Sequence, residues 1–447
     1  MNKPTGDNGA VWPFVPLNSQ VFDNMEIVGA EGVYLYTRNG KKILDGSAGA
    51  VVGNIGWGRQ EVVDAAANAL ADLTYALPPF ATPQRVALAT RLNSDWLPGH
   101  MPGISFFGSG SEANEAAMRL ARQFQIAKGR KSRWKIIGRD VSYNGTSLAT
   151  LALGGHNARR NGFEPMFLNM PHAPACYCLR CPLGKTYPGC HVACATELEA
   201  LIEREGADTI AGFQAEPITG TSGGAIVPPE GYWSTVADIC KRHDIVLIAD
   251  EVLTGFGRTG ERMAIDHWGI HPDIIVLGKG MSGGYAAMSA VATKPHIAQA
   301  MSEAGVSPMF HTYGGHPSQC AAADKVLEIM DREQLVKRVQ TLGPLLENKM
   351  SVLLDNPYVA DVRGRGFFYA VEIVKDKHSL EMYPANANIT FRVMEATVER
   401  GVFTYFGGTG TVRDIINIAP HFVIQENEMD TIVAALDESI TAVCESV

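Results

Sequence analysis

No stretch of this sequence approaches the length of a membrane span, and Met1 to Pro16 contain no apolar core of signal-peptide length. Together these absences predict a cytoplasmic protein. Long basic runs are missing too: the longest is Arg130-Lys131-Ser132-Arg133, which the end of a surface helix explains. With 38 Lys and Arg against 47 Asp and Glu the net charge is −9, which favours solubility and argues against a nucleic-acid or anionic-membrane surface. Internal repeats and low-complexity tracts are absent. What remains is an ordinary globular composition, 46% hydrophobic and 19% charged. A chain of 447 residues has room for a large core and two or three lobes.

The eight cysteines read as reduced thiols. Five of them cluster: Cys176, Cys178, Cys181, Cys190 and Cys194. A C-x-x-C pair, Cys178 and Cys181, followed by Cys190-x3-Cys194, raises a structural zinc. The second pair is irregular and lies among Pro182, Gly184 and Pro188, so thiols packing a loop are the preferred account and no metal is expected. Cysteine catalysis is disfavoured further, because the cluster has no obvious orienting group.

Val33-Tyr34-Leu35-Tyr36, the turn Arg38-Asn39-Gly40-Lys41 and Lys42-Ile43-Leu44-Asp45 predict a small antiparallel element. The Gly- and Ala-rich stretch from Gly46 to Gly58 reads as a loop or a region of close backbone approach, and helical spacing resumes at Val62, Ala65, Ala66 and Ala69. From Gly103 strands and helices alternate. Apolar runs predict strands at Ile104–Phe107, Trp134–Ile137, Ile210–Phe213, Ile245–Ala249 and Ile274–Leu277. Ala113, Ala116, Ala117, Leu120, Ala121 and Phe124 share one helical face. Such alternation predicts an α/β fold with a mostly parallel central sheet. Helical spacing then spans Ala323 to Leu342, a strand follows at Gly366–Ile373, and a last helix places Met429, Ile432, Val433, Leu436 and Ile440 on one face. The expected organisation is a large domain (56–325) and a smaller α+β domain built from the N-terminal segment (1–55) and the C-terminal segment (326–447).

Candidate chemistry gathers where the strands end. Ile245–Ala249 stops on Asp250-Glu251, and Ile274–Leu277 stops on Gly278-Lys279-Gly280. Two adjacent strands would bring an acid and a lysine to one sheet edge, the place where open α/β folds put their sites. A lysine forming an imine with an aldehyde cofactor, and an aspartate keeping that cofactor's ring protonated, fit this pair; a solvated Lys and Asp at loop ends fit it as well. Gly108-Ser109-Gly110-Ser111, between a strand and a helix, is either an anion site or a plain turn capped by Ser111. Tyr143, in Ser142-Tyr143-Asn144-Gly145, is a stacking aromatic or a core residue. Ala215-Glu216-Pro217 brings a further carboxylate to the same edge.

In this order and spacing the residues resemble the class III pyridoxal-phosphate aminotransferases of fold type I. The likeness is carried by Leu247-Ile-Ala-Asp-Glu-Val-Leu-Thr-Gly-Phe-Gly-Arg-Thr-Gly260 and by Asp273-Ile-Ile-Val-Leu-Gly-Lys-Gly-Met-Ser-Gly-Gly284. Supporting matches are Phe107–Glu115, Ala215-Glu-Pro217, His311-Thr-Tyr-Gly-Gly-His-Pro317 and Val362-Arg-Gly-Arg-Gly366. The resemblance implies that Lys279 carries pyridoxal 5′-phosphate as an imine and shuttles the 1,3-proton, and that Asp250 pairs with the pyridine nitrogen. It further implies ring contacts from Val252 and Tyr143, phosphate contacts from Gly110 and Ser111, Gly145 and Glu216 close to the cofactor, and Thr312 reaching the phosphate of a partner subunit. A homodimer with active sites at the interface, or a tetramer of such dimers, is therefore expected.

Departures from the family pattern bear on the substrate. Members that use ornithine or 4-aminobutyrate carry a glutamate soon after Glu-Pro, paired with an arginine near the C-terminus that binds the 2-oxoglutarate α-carboxylate. Thr221 and Asn417 stand at those two positions. The loss of both resembles the branch that passes amines or ω-amino acids to pyruvate by ping-pong chemistry. Arg413 is a candidate carboxylate ligand or a surface arginine in a glycine loop. Val51 stands where relatives often have an aromatic wall, and Phe80 is a further pocket candidate. Asn144 replaces the family's usual histidine. The alternative chemistry is a phospho-lyase or aminomutase on the same scaffold; a lyase would want a second cationic phosphate pocket, for which only Arg413 and His421 offer themselves.

Overall fold

The computed structural model describes residues 25–447; the reading made above of Met1 to Pro16 lies outside them. Three sheets organise the chain. The first joins β1 (Ile27–Glu31), β2 (Tyr34–Thr37) and β3 (Lys42–Asp45). The hairpin from β2 to β3 pairs Tyr34 with Leu44, as the turn at Asn39-Gly40 predicts.

The central sheet comprises β4 (Gly103–Phe107), β5 (Lys135–Arg139), β6 (His172–Ala173), β7 (Ile210–Ala215), β8 (Val246–Asp250), β9 (Ile274–Leu277) and β10 (Ser289–Thr293), in the order β4-β10-β9-β8-β7-β5-β6. The run from β9 through β6 is parallel; β10 alone is reversed, antiparallel to both β9 and β4. Alternate residues of each buried strand face opposite layers, as period-two geometry requires. Val246, Ile248, Ile274 and Val276 pack under the helix Gly110–Ala127 with its buried Ala113, Ala117, Leu120 and Phe124. Leu247, Ala249, Ile275 and Leu277 face the other layer, where the helices Ala193–Glu205 and Tyr232–His243 bury Leu198, Ile202, Trp233 and Val236. Asp250 continues the Val246–Ile248 parity and so turns toward the start of the Gly110–Ala127 helix.

A third sheet, in the order β11-β12-β15-β14, is built from β11 (Val359–Arg365), β12 (Phe368–Ile373), β14 (Tyr405–Gly407) and β15 (Ile415–Ile418). Between them, β13 (Val402–Phe403) leaves this sheet and pairs in parallel with β3, so a C-terminal strand completes the N-terminal sheet. The closing helix Glu426–Glu445 buries Met429, Ile432, Leu436 and Ile440, with Val433 partly buried beside them.

One expected element divides. The helical spacing from Ala323 to Leu342 spans two helices, Pro317–Arg332 and Leu335–Ser351, because Gln334 adopts a left-handed backbone (φ 52°) between them. All eight cysteines are free thiols, and Cys176, Cys178, Cys181, Cys190 and Cys194 line one small cavity. Among the described residues no group of three or more His, Cys, Asp or Glu is arranged to hold a metal ion, and no helix is long and apolar enough to cross a membrane.

Candidate active site

Asp250 ends β8 opposite Val276 of β9, and three residues further along β9's course the chain reaches Lys279. The two runs that stop on an acid and on a lysine are thus neighbours, ending at one edge. Lys279 opens a short 3-10 turn with φ +41°, a left-handed backbone that a non-glycine residue holds only when its surroundings impose it. Burial pushes its amine down to about 8, against the opposing pull of Glu216 and Asp250. Asp250 is 2% exposed, and burial raises its carboxyl to about 6. Asn144 Nδ2 donates to Asp250 Oδ2 at 2.7 Å and the Val252 N–H to Oδ1 at 3.2 Å; both favour the ionised form. Glu216, at the end of β7, is pushed up to about 7 by burial. Arg139 and the N–H groups of Gly220 and Tyr143 pull it back.

Opposite this cluster lies the start of the Gly110–Ala127 helix. Its cap is Ser109, whose Oγ accepts the Glu112 N–H at 3.3 Å, and not Ser111 as the plain-turn reading had it. Ser111 Oγ instead accepts the Thr146 N–H at 3.1 Å, joining the helix start to the loop that carries Tyr143 and Gly145. The first-turn N–H groups at Gly110 and Ser111 remain as anion donors, with the helix dipole behind them. Val252 does not continue β8, which ends at Asp250. It packs nevertheless against this place: a Cβ on Gly110 or on Gly278 would lie 3.1 or 3.2 Å from Val252 Cγ1. At Gly145 (φ +143°) a Cβ would stand 2.5 Å from Ser111 Oγ.

The substrate candidates fall into four places. Thr221 and Asn417 come together across Gly407, where a Cβ would lie 2.7 Å from Thr221 O and 2.5 Å from Asn417 Nδ2. Asn417 is fully buried, and neither atom of its amide has a partner among the described residues. Arg413 turns its guanidinium to the Tyr383 carbonyl (2.9 Å) and toward Asp414 (3.8 Å). Val51 is buried with φ +59°, an outlier for a β-branched residue. Phe80 and Thr312 lie elsewhere, on a surface where Leu77, Phe80, Met309, Phe310 and Tyr313 are all exposed, Phe80 by 63% and Tyr313 by 68%. Tyr75 Oη donates to the Thr312 carbonyl and links the two loops of this surface.

Sequence reasoning passed over several residues that the tertiary structure singles out. Asn144, marked in the sequence only as a replacement for the family's usual histidine, donates directly to Asp250. Arg85, buried, donates to the carbonyls of Ala76, Leu77, Phe80 and Gly315 and clamps both exposed loops. Arg258 ties together three distant segments through the carbonyls of Gly53, Phe367 and Pro420. Its place in the Gly-Phe-Gly-Arg motif was the available signal. Arg139 holds the Glu216 carbonyl and Thr219 Oγ1. Arg159 stacks its guanidinium 4.6 Å over the Tyr143 ring, and no motif pointed to it.

The donor set suits pyridoxal phosphate. A helix start with free N–H groups and a hydroxyl matches a phosphate, a buried carboxylate held by amide donors matches a protonated ring nitrogen, and a lysine of lowered basicity matches an aldehyde. The sequence model described as Aminotransferase class-III matches residues 17–440. An uncharacterised aminotransferase of Bacillus subtilis is 37% identical over 426 residues, covering 94% of this chain and 93% of its own. The putrescine–pyruvate aminotransferase of Pseudomonas aeruginosa is 33% identical, covering 93% of this chain and 91% of its own. Among solved structures, an (S)-enantioselective omega-transaminase from Thermomicrobium roseum superimposes with a TM-score of 0.88 at 35% identity, over 94% of this chain and 92% of that one. The omega-transaminase of Pseudomonas jessenii in complex with PMP gives 0.89 at 31%, over 95% and 93%.

Proposed function

We propose that this chain, which belongs to the class III aminotransferases, moves the amino group of a primary amine or ω-amino acid onto pyruvate, in two ping-pong half-reactions with pyridoxal 5′-phosphate. The observation that carries the choice of acceptor is the Thr221–Asn417 pair. These two positions meet in space at Gly407, so their joint departure from Glu and Arg removes one interacting pair and with it the fixed cation that the resemblance assigns to the 2-oxoglutarate α-carboxylate. The cation dedicated to 2-oxoglutarate is then missing, as it is in the branch that the sequence resembles, which uses pyruvate. The similarity to a putrescine–pyruvate aminotransferase and to omega-transaminases supports the same reading.

When bound, the cofactor supplies an electron sink for the carbon that loses its proton. The protein's own groups do the rest. Lys279 Nζ, with basicity lowered by burial, has a sizeable neutral fraction near neutral pH and can both attack a carbonyl and carry a proton between two carbons in a 1,3 relation. Asp250, its carboxylate steadied by Asn144 and the Val252 N–H, would pair with a protonated ring nitrogen. Gly110, Ser111 and Gly145 would hold the phosphate, and Tyr143 and Val252 would flank the ring, with Glu216 beside it. The exposed apolar surface carrying Phe80 and Thr312 supports a homodimer in which these residues complete the partner's site. The same reading divides the chain into a large domain (56–325) and a small one (1–55 with 326–447).

The test uses the cofactor's near-visible absorbance in purified protein. Lys279→Ala should abolish that band; in the wild type an amine donor alone should bleach it, and pyruvate should restore it. A band that survives Lys279→Ala refutes the assignment of the lysine. Restoration by 2-oxoglutarate alone refutes the acceptor, and phosphate release from an amino-phosphate without any keto acid refutes transamination.

A further inference from the structure

We infer that Arg159 is the carboxylate receptor of this active site, binding the keto-acid acceptor and the acid group of an ω-amino acid donor. The inference rests on the aminotransferase reading above and identifies how its substrates are held. Arg159 lies on the short helix Asn157–Arg160, half-buried, with its guanidinium carbon 4.6 Å over the face of Tyr143. Its charge is felt at Lys279, whose protonation it opposes, and at Tyr405, the cross-strand neighbour of Asn417. Yet its side chain makes no hydrogen bond and no ion pair among the described residues; the Tyr143 face is its contact.

The other arginines near this place are committed. Arg160, next in sequence, donates to the carbonyls of Leu151, Ala152 and Gly154. Arg139 holds Glu216 and Thr219, Arg258 holds three backbone carbonyls, and Arg413 holds the Tyr383 carbonyl. A guanidinium stacked on an aromatic ring keeps its edge N–H groups free, and that planar fork matches a carboxylate in bidentate fashion.

The platform is anchored where the substrate candidates meet. Ala158 N donates to Thr409 O at 2.8 Å and Asn157 Nδ2 to Thr411 Oγ1 at 2.9 Å. The glycine loop so engaged begins at Gly407–Gly408, which the Thr221 carbonyl also binds through the Gly408 N–H at 3.0 Å. A cation missing at Asn417 is thereby replaced by one delivered from the large domain, beside the stacking tyrosine.

The experiment compares full-length wild-type holoenzyme with Arg159→Leu and Arg159→Lys. Propionate, a carboxylate that cannot react, is titrated by calorimetry, and KM and kcat are measured for pyruvate and for an amine donor without a carboxylate. Arg159→Leu should weaken propionate binding and raise the pyruvate KM by roughly 10- to 100-fold. The carboxylate-free amine should keep its kcat/KM to within about twofold, and Arg159→Lys should recover part of the loss. Unchanged propionate affinity in Arg159→Leu overturns the inference. So does an equal loss with the carboxylate-free amine, which would mark Arg159 as a support for Tyr143, or a loss carried by Arg413→Leu instead. If the wild type transfers no amine to any keto acid, the functional reading fails, while propionate binding still decides the role of Arg159.

Discussion

Removing the Asn144 side chain should shift the pH range in which the protein holds its cofactor. Asn144 and Asp250 are 3% and 2% exposed, and the amide donates to the carboxylate at 2.7 Å. Asn144 Oδ1 has no partner among the described residues, so the donor is what the side chain contributes. A hydrogen bond to a charged group contributes about 1.5–3 kcal/mol, and about 1.4 kcal/mol corresponds to one pKa unit. Asn144→Ala should therefore raise Asp250 by about 1–2 units above its value of about 6. A higher pKa leaves less carboxylate at a given pH, and only the carboxylate favours a protonated ring nitrogen. Cofactor affinity, measured by spectroscopic titration between about pH 5 and pH 9, should fall off on the acid side in both proteins. The fall should begin about 1–2 units higher in Asn144→Ala. The phosphate titrates in both proteins alike and cancels in the comparison. Asn144→His, which keeps a donor and restores the residue usual in the family, should leave the acid limb near its wild-type position. An unmoved limb in Asn144→Ala refutes the assignment of Asn144 as the group that keeps Asp250 ionised.

Two further outcomes follow from the same cluster. Because only the neutral amine of Lys279 attacks an aldehyde, the rate at which apo-protein captures pyridoxal phosphate should rise with pH through a midpoint near 8; a stopped-flow midpoint close to the ordinary lysine value would contradict the burial that lowers it. Gly145→Ala forces a Cβ to within 2.5 Å of Ser111 Oγ and 2.7 Å of Thr150 Oγ1 at φ +143°, which should cost about 1–3 kcal/mol. A lowered melting temperature together with a weaker cofactor dissociation constant is the expected result, and an unchanged pair of values would show that the loop yields freely.

The strands of the central sheet and the two residues that end them were legible in the sequence, because they are local features. Ile245–Ala249 and Ile274–Leu277 are short apolar runs whose period and ends depend on adjacent residues alone. The buried face of the Gly110–Ala127 helix is equally local: it follows from spacing along one chain segment. Where local signals were ambiguous the sequence misled. Spacing continued from Ala323 to Leu342, yet the chain turns at Gln334, and either Ser109 or Ser111 could have capped the helix. The partners of those residues had to wait for the tertiary structure. That Asn144 steadies Asp250 depends on how the strands β5 and β8 are placed either side of β7. That Thr221 and Asn417 are one locus depends on β14 folding back over the loop after Glu216. Likewise Arg159 and Arg160 are indistinguishable as letters, and only their surroundings separate an arginine committed to carbonyls from one with no hydrogen bond among the described residues. The sequence by itself determined the family, the sheet and the acid–lysine pair, because these are written in contiguous motifs. The tertiary structure decided which side chain steadies the Asp250 carboxylate and which arginine keeps no hydrogen bond among the described residues, because hydrogen-bond satisfaction and burial are properties of residues brought together from distant parts of the chain.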